Sequence, residues 1–144
     1  MNHLLIIVGI LFLNSSLAVA EQTQQQFLAS FIAGKYHLVG KAIDSDRTYY
    51  GKVQIVSTES GIEVHRLLAE KTIIGSGAIE KATADNVKLL RIRFTENDME
   101  FEETCIISSD LDNYARITCY LYRSGRETSN PGLEVLFIDR GENR

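Results

Sequence analysis

The chain has 144 residues, of which 44% are hydrophobic, so it is long enough to bury one core and too short for two average domains. Its 19 acidic residues outnumber its 15 basic residues, which gives a formal net charge of -4. Nucleic-acid phosphates would demand a clustered basic surface, so we expect no nucleic-acid partner.

Residues 1–20 have the pattern of a signal peptide. Residues 4–13 form an apolar run that is too short to span a bilayer, and Ala18-Val19-Ala20 places small residues at the recognition positions of a cleavage site. We predict cleavage after Ala20, no transmembrane span, and export to the periplasm or out of the cell. An uncleaved anchor is the alternative. The mature protein, residues 21–144, is expected to be a single domain.

Residues 21–33 predict a short amphipathic helix. Its apolar side chains fall on one stripe: Phe27, Leu28, Phe31 and Ile32. Gly34 is available as the left-handed residue that would end the helix. A helix this short is expected to close one end of the core, rather than to dock on a partner or a membrane.

From Lys35 onward the hydrophobic period changes to two, which is typical of β-strands. Turn-forming clusters separate runs at 35–43, 49–57, 62–70, 72–81, 87–95 and 133–139, and residues 99–123 add a hairpin of two more strands. Strands joined by such short turns should be antiparallel neighbours. Closure into an up-and-down, eight-stranded barrel would remove both exposed edges, so this all-β fold is our prediction, with a two-sheet β-sandwich as the alternative.

The hairpin at 99–123 is the segment where pattern, turn chemistry and cysteine spacing agree. Two runs rich in β-branched and aromatic residues flank a turn cluster at 109–113. A register that places Cys105 opposite Cys119 puts one set of side chains on a core face, with Glu103 as its one charged member. In an oxidising compartment we expect these cysteines to form a disulfide, and two buried free thiols are the alternative.

Several short glycine-containing motifs follow the predicted helix. They are Gly34-Lys35-Tyr36, YHLVG at 36–40, YGKVQI at 50–55, GSGAI at 75–79 and GLEVL at 132–136. The first resembles the lipocalin opening of glycine, any residue and tryptophan, with tyrosine in the third position. Together they resemble exported bacterial lipocalin-like (calycin-type) barrels of mostly unassigned function. The resemblance implies a small apolar ligand held in the mouth of the barrel.

Catalytic patterns find little support in the sequence. His37 and His65 lie on separate predicted strands and have no metal-ligand spacing, and Cys105 and Cys119 are assigned to the bridge. Gly75-Ser76-Gly77 lacks the following helix and lysine of a phosphate-binding loop. We therefore expect a non-enzymatic protein without a metal or a cofactor.

A ligand cavity is predicted from the face that Arg66 shares with its strand neighbours. If that face points into a barrel, the burial of the guanidinium is costly unless it meets an anion, which would suit a carboxylate-headed ligand such as a fatty acid. The alternative is an arginine near the rim that reaches water along its own stem. The residues predicted to line the cavity share this inward phase: Tyr36, Leu38, Val53, Ile55, Val64 and Arg66.

The outward face of the hairpin supports an alternative function. Tyrosine and arginine are enriched at protein contacts because they supply large area and a polar tip. The predicted interaction patch consists of Tyr114, Arg116, Tyr120 and Tyr122. The chain could then serve as an envelope interaction module or an inhibitor. A solvated strand face beside Glu100 and Glu102 is the simpler interpretation.

Overall fold

The computed structural model describes residues 22–82, 87–108 and 116–141. A helix at residues 22–32, α1, precedes eight strands that close into an antiparallel barrel. The strands are β1 (Gly34–Lys41), β2 (Thr48–Thr58), β3 (Gly61–Leu68), β4 (Lys71–Lys81), β5 (Lys88–Glu96), β6 (Met99–Ser108), β7 (Arg116–Arg123) and β8 (Gly132–Ile138). The predicted up-and-down barrel is confirmed, and the sandwich alternative is wrong.

Closure of the barrel comes from the pairing of β1 with two partners. It is antiparallel to β2 on one side and to β8 on the other, where the register runs from Tyr36 opposite Ile138 to Lys41 opposite Leu133. Every strand therefore has a neighbour on both sides, and the exposed edges of an open sheet are removed. Among the described residues no helix has the length and apolar character needed to cross a membrane. The predicted signal peptide and the turn cluster at 109–113 lie outside the described residues.

The core consists of the side chains that alternate inward from the strands. Its most deeply buried apolar and sulfur-containing members on the strands are Leu38, Val53, Ile55, Val64, Leu90, Ile92, Cys105, Cys119 and Leu136. The inward phase predicted for β1, β2 and β3 agrees with the observed burial. Cys105 lies directly opposite Cys119 in the β6–β7 ladder, and the two are joined by a disulfide, so this part of the sequence prediction is confirmed.

Helix α1 differs in part from the predicted stripe. Ile32 is buried and joins the core, but Phe27 and Phe31 are 68% and 50% exposed. Gly34 does not take the left-handed conformation that was predicted for it, because it already begins β1. The end of the helix is instead satisfied by the Tyr36 hydroxyl, which donates to the Ile32 carbonyl at 2.7 Å.

The face of strand β8 that points into the barrel is not its most apolar face. Leu133, Val135 and Phe137 share a face, but that face points outward, and Leu133 and Phe137 are over a third exposed. Glu134 and Leu136 point into the barrel instead and are fully buried. The inward face of β8 cannot be found by counting apolar residues, because it contains the charged Glu134, whose ion-pair partner lies on another strand.

Candidate functional site

One end of the barrel is open and carries a cavity of about 480 Å³, the mouth cavity. The connections β1–β2, β3–β4, β5–β6 and β7–β8 lie at this end, whereas α1 lies beside the β2–β3 turn at the other end. Apolar side chains form much of its wall: Ile43, Leu68, Phe94, Met99, Phe101 and Leu121. Its polar lining comes from Arg47, Tyr49, Arg66, Glu96 and Arg123.

Four polar side chains meet beneath the mouth cavity and form the Arg66 cluster: Tyr49, Arg66, Glu103 and Glu134. Arg66 donates through Nη1 to Glu134 Oε2 at 2.9 Å and through Nη2 to Glu134 Oε1 at 2.6 Å. It also pairs with Glu103 through Nη1, and the Tyr49 hydroxyl donates to Glu134. These side chains come from β2, β3, β6 and β8, and apart from β2 and β3 no two of these strands are neighbours in the sheet.

The guanidinium of Arg66 is almost completely removed from water. Its side chain is 2% exposed, and its Cζ lies 4.2 Å from the centroid of the Phe94 ring, a cation–π contact. Within the described part of the chain, the Nε–H of Arg66 has no hydrogen-bond partner. An unpaired buried donor is costly to the folded state.

The cluster contains one cation and two carboxyl groups, and Glu103 is the carboxyl group whose pKa is raised. Burial raises the pKa of Glu103 to about 8; Arg66 opposes the shift and Glu134 adds to it. Burial alone would lower the pKa of Arg66, but Glu103 and Glu134 outweigh that effect and raise it. Burial, reinforced by Glu134, raises the pKa of Tyr49 far above its usual range. The raised pKa favours a proton on Glu103 at neutral pH.

The rim of the mouth cavity is held by Asp44, which joins two loops. Its Oδ1 accepts from the Asn130 amide at 3.0 Å, its own amide donates to the Asn130 carbonyl at 3.0 Å, and its Oδ2 pairs with Arg123 at 2.8 Å. The hydrogen bond from Asn130, together with Arg123, lowers the pKa of Asp44. Loops 42–47 and 124–131 are thus fixed relative to each other at the opening.

Arg66 is the one predicted cavity residue that lines the mouth cavity. It is buried in the barrel rather than placed at the rim, so the interpretation as a rim arginine is wrong. The anion that it meets belongs to the protein itself and not to a ligand. The other predicted lining residues are core residues away from the mouth: Tyr36, Leu38, Val53, Ile55 and Val64. Alternation along a strand predicts that they face inward, but it does not give their depth in the barrel.

Phe94, Phe101 and Glu134 are among the site residues that the sequence analysis did not predict. Phe94 and Phe101 were not among the predicted cavity residues, although their stacked rings, 5.3 Å apart, line the mouth cavity. Glu134 was missed because the strand at 133–139 was predicted from its apolar residues, and Glu134 is not one of them. A usable signal existed, since Arg66 and Glu103 were both predicted on inward faces, and opposite charges in one core require each other.

Only part of the predicted interaction patch lies among the residues that the structure describes. Tyr120 is 51% exposed, and its ring centroid lies 6.5 Å from that of Tyr122 on the outward face of β7. Tyr120 is paired with the outward-facing Leu133 of β8, so apolar surface continues onto the next strand. The backbone of Arg116 is paired with Phe137, and Tyr114 lies outside the described residues.

Two other features of the structure are weaker candidates. A cavity of about 650 Å³ is larger than the mouth cavity, but Glu63, Ser76 and Arg93 in its lining belong to outward-facing positions of β3, β4 and β5. It does not reach the Arg66 cluster, so the smaller mouth cavity is the better candidate. Glu103, Cys105 and Cys119 place three metal-ligand atoms within 4.8 Å of one another, but both sulfurs are bonded to each other.

The architecture defines the class of this molecule as a closed, antiparallel, eight-stranded barrel with a polar cluster beneath an open mouth. None of the protein-family models, curated proteins and solved structures compared with the chain matches it. Its function is therefore inferred from the mouth cavity and from the outward face of the hairpin.

Proposed function

We propose that the chain is an exported, non-enzymatic barrel that binds a small apolar or amphipathic ligand in the mouth cavity. The observation that carries the proposal is the cavity itself. At about 480 Å³ it falls within the range of small-molecule pockets, roughly 300–1,000 Å³. A mainly apolar wall with a few convergent polar groups is the usual composition of such a site.

We expect most of the binding free energy to come from the apolar wall of the mouth cavity. Phe94, Phe101 and Leu121 offer apolar surface that a ligand would remove from water, at about 25 cal/mol for each Å² buried. The polar lining adds a small number of groups that can hydrogen-bond, among them Arg47. These contacts favour a compact apolar body that carries at most a few polar atoms.

Export is supported by the disulfide and by the first 20 residues. A bridge between Cys105 and Cys119 is typical of oxidising compartments such as the periplasm or the cell exterior. The resemblance of the short motifs to lipocalin-like barrels agrees with a ligand held at the mouth.

Native mass spectrometry of the mature protein, purified gently from its host, tests the proposal. We expect an extra mass that is lost on denaturation, or uptake of added medium-chain alcohols or fatty acids. Leu121→Trp should block the mouth cavity and abolish the adduct. Leu133→Trp is the matched control, because Leu133 faces outward, and it should retain the adduct. A ligand-free wild-type protein that takes up none of these compounds would overturn the proposal.

The alternative function, an envelope interaction or inhibitor module, is favoured by the half-exposed Tyr120 and its apolar neighbours on β8. Pull-down with Tyr120→Ala and Tyr122→Ala variants tests it. Tyr50→Ala removes a similarly exposed tyrosine from β2 and serves as the control. An unchanged yield of partner from the β7 variants would dismiss the patch.

A further inference from the structure

We infer that the ligand is an amphiphile that enters the mouth cavity with its apolar end first and leaves its anionic group at the rim, beside Arg47. This inference rests on the proposed function and deepens it, because it assigns the chemistry and the orientation of the ligand. It also replaces the expectation that Arg66 binds the carboxylate of a fatty acid.

The floor of the cavity has no positive charge to offer to a ligand. Both Nη atoms of Arg66 are engaged by Glu134, and Nη1 also meets Glu103. One guanidinium already faces two carboxyl groups, so a third carboxylate would be buried against like charge or would have to displace a bidentate partner. Either outcome costs several kcal/mol for a fully buried anion.

What remains exposed to a ligand at the floor is mainly apolar. The guanidinium lies over the ring of Phe94, which stacks at 5.3 Å on Phe101. Leu68 and Leu121 complete this part of the lining. Among the described residues, the unpaired Nε–H of Arg66 is itself buried, so it presents no exposed donor to an anion at the floor.

The rim differs from the floor, because one of its cations, Arg47, has no ion-pair partner among the described residues. Arg123 is paired with Asp44 at 2.8 Å, and Glu96 is paired with Lys71 at 3.4 Å. Arg47 also lines the cavity and is exposed, and no ion pair to its guanidinium is seen in residues 22–82, 87–108 and 116–141. The loop that carries it is held by two hydrogen bonds, from the Ala42 amide to the Arg47 carbonyl at 2.9 Å and from the Arg47 amide to Ser45 Oγ at 3.1 Å. Arg47 is therefore the residue best placed to receive an anionic head group.

Binding of decanoate and decanol to the folded, disulfide-bonded mature protein tests the orientation. The two probes share one chain and differ in the charge of the head group. In titration calorimetry, Arg47→Gln should weaken decanoate binding roughly three-fold, the size of an exposed ion pair, and leave decanol binding unchanged. Arg126→Gln is the matched control, since Arg126 is exposed but does not line the cavity, and it should change neither affinity. The loss for decanoate should shrink as salt is added.

The outcomes separate the two levels of inference. If decanoate binds and Arg47→Gln leaves its affinity unchanged, the orientation is wrong and the proposed function stands. If decanol binds and decanoate does not, the anionic head group is wrong and the proposed function again stands. If neither probe binds the wild-type protein, both the orientation and the ligand-binding function are overturned.

Discussion

Arg66 and Glu134 form a two-point ion pair across the inside of the barrel, from β3 to β8, with donor–acceptor distances of 2.9 and 2.6 Å. Their strands are not neighbours in the sheet, so this contact crosses the interior. Tyr49 and Glu103 complete the cluster. The Arg66 cluster forms a polar layer between the apolar core and the mouth cavity. The protonation of its carboxyl groups should affect the free energy of unfolding.

The two buried glutamates should respond differently to the same substitution. Glu134→Gln removes the carboxylate that binds Arg66 through both oxygens, and it should cost about 3–5 kcal/mol of unfolding free energy because a buried cation loses its partner. Glu103→Gln replaces a carboxyl that already carries a proton at neutral pH, so it should cost less than about 1 kcal/mol. Urea denaturation at neutral pH measures both values. Equal losses in the two variants would show that the proton is not on Glu103.

Stability should fall as the pH rises toward 8. The pKa of Glu103 is about 8 in the folded protein against a reference value of 4.5, so between these values the folded state binds the extra proton. The free energy of unfolding should therefore decrease through this window, with a slope approaching roughly 1 kcal/mol per pH unit, and level off above pH 8. Glu103→Gln should lack this component in denaturation curves recorded across the window. The same slope in the variant and the wild type would contradict the assignment.

Gly40 should tolerate no side chain, because the Tyr49 ring lies against it. A Cβ at this position would overlap the ring, which is held in place by its hydrogen bond to Glu134. Gly40→Ala should cost about 1–3 kcal/mol. Gly34→Ala is the control on the same strand, since its Cβ would lie 3.6 Å from the nearest atom, an ordinary contact, and should have little effect. Similar unfolding free energies for both variants would show that the Tyr49 ring moves away without cost.

The disulfide should be stabilising and protected. The bridge spans a separation of 14 residues, and replacing Cys105 and Cys119 with alanine should cost about 3 kcal/mol by loop entropy. Both sulfurs are fully buried, so a reductant should act only through opening of the barrel. Thiol labelling over time in dithiothreitol measures this protection. Rapid labelling under conditions in which the protein stays folded would contradict the buried position.

Much of the fold follows from alternation alone. The period of two along the strands, the turn clusters and the cysteine pair predict the eight strands, the closure and the β6–β7 register. An assignment of the inward face of β8 from its apolar residues would be in error, because a strand that buries Glu134 looks amphipathic in the opposite sense. The cause of that error is a long-range ion pair, since Arg66, the partner of Glu134, is 68 positions away in the sequence.

The candidate site was less predictable than the fold. Alternation places Arg66 inside, but it cannot distinguish a ligand's anion from the protein's own carboxylates. The depth of a residue in the barrel depends on strand tilt and stagger, which a sequence pattern does not encode. The predicted ligand residues Leu38 and Val64 therefore belong to the solid core, whereas Phe94 and Phe101 line the opening.

The most direct test of the central claim is to map where a small apolar molecule binds. Decanol can be titrated into isotope-labelled mature protein while amide and methyl chemical shifts are followed. We expect saturable shifts at Leu68, Phe94, Phe101 and Leu121 around the mouth cavity, with the amides of Tyr120 and Tyr122 unchanged. Shifts confined to the outward face of β7, or no saturable shift in the folded protein, would contradict ligand binding at the mouth.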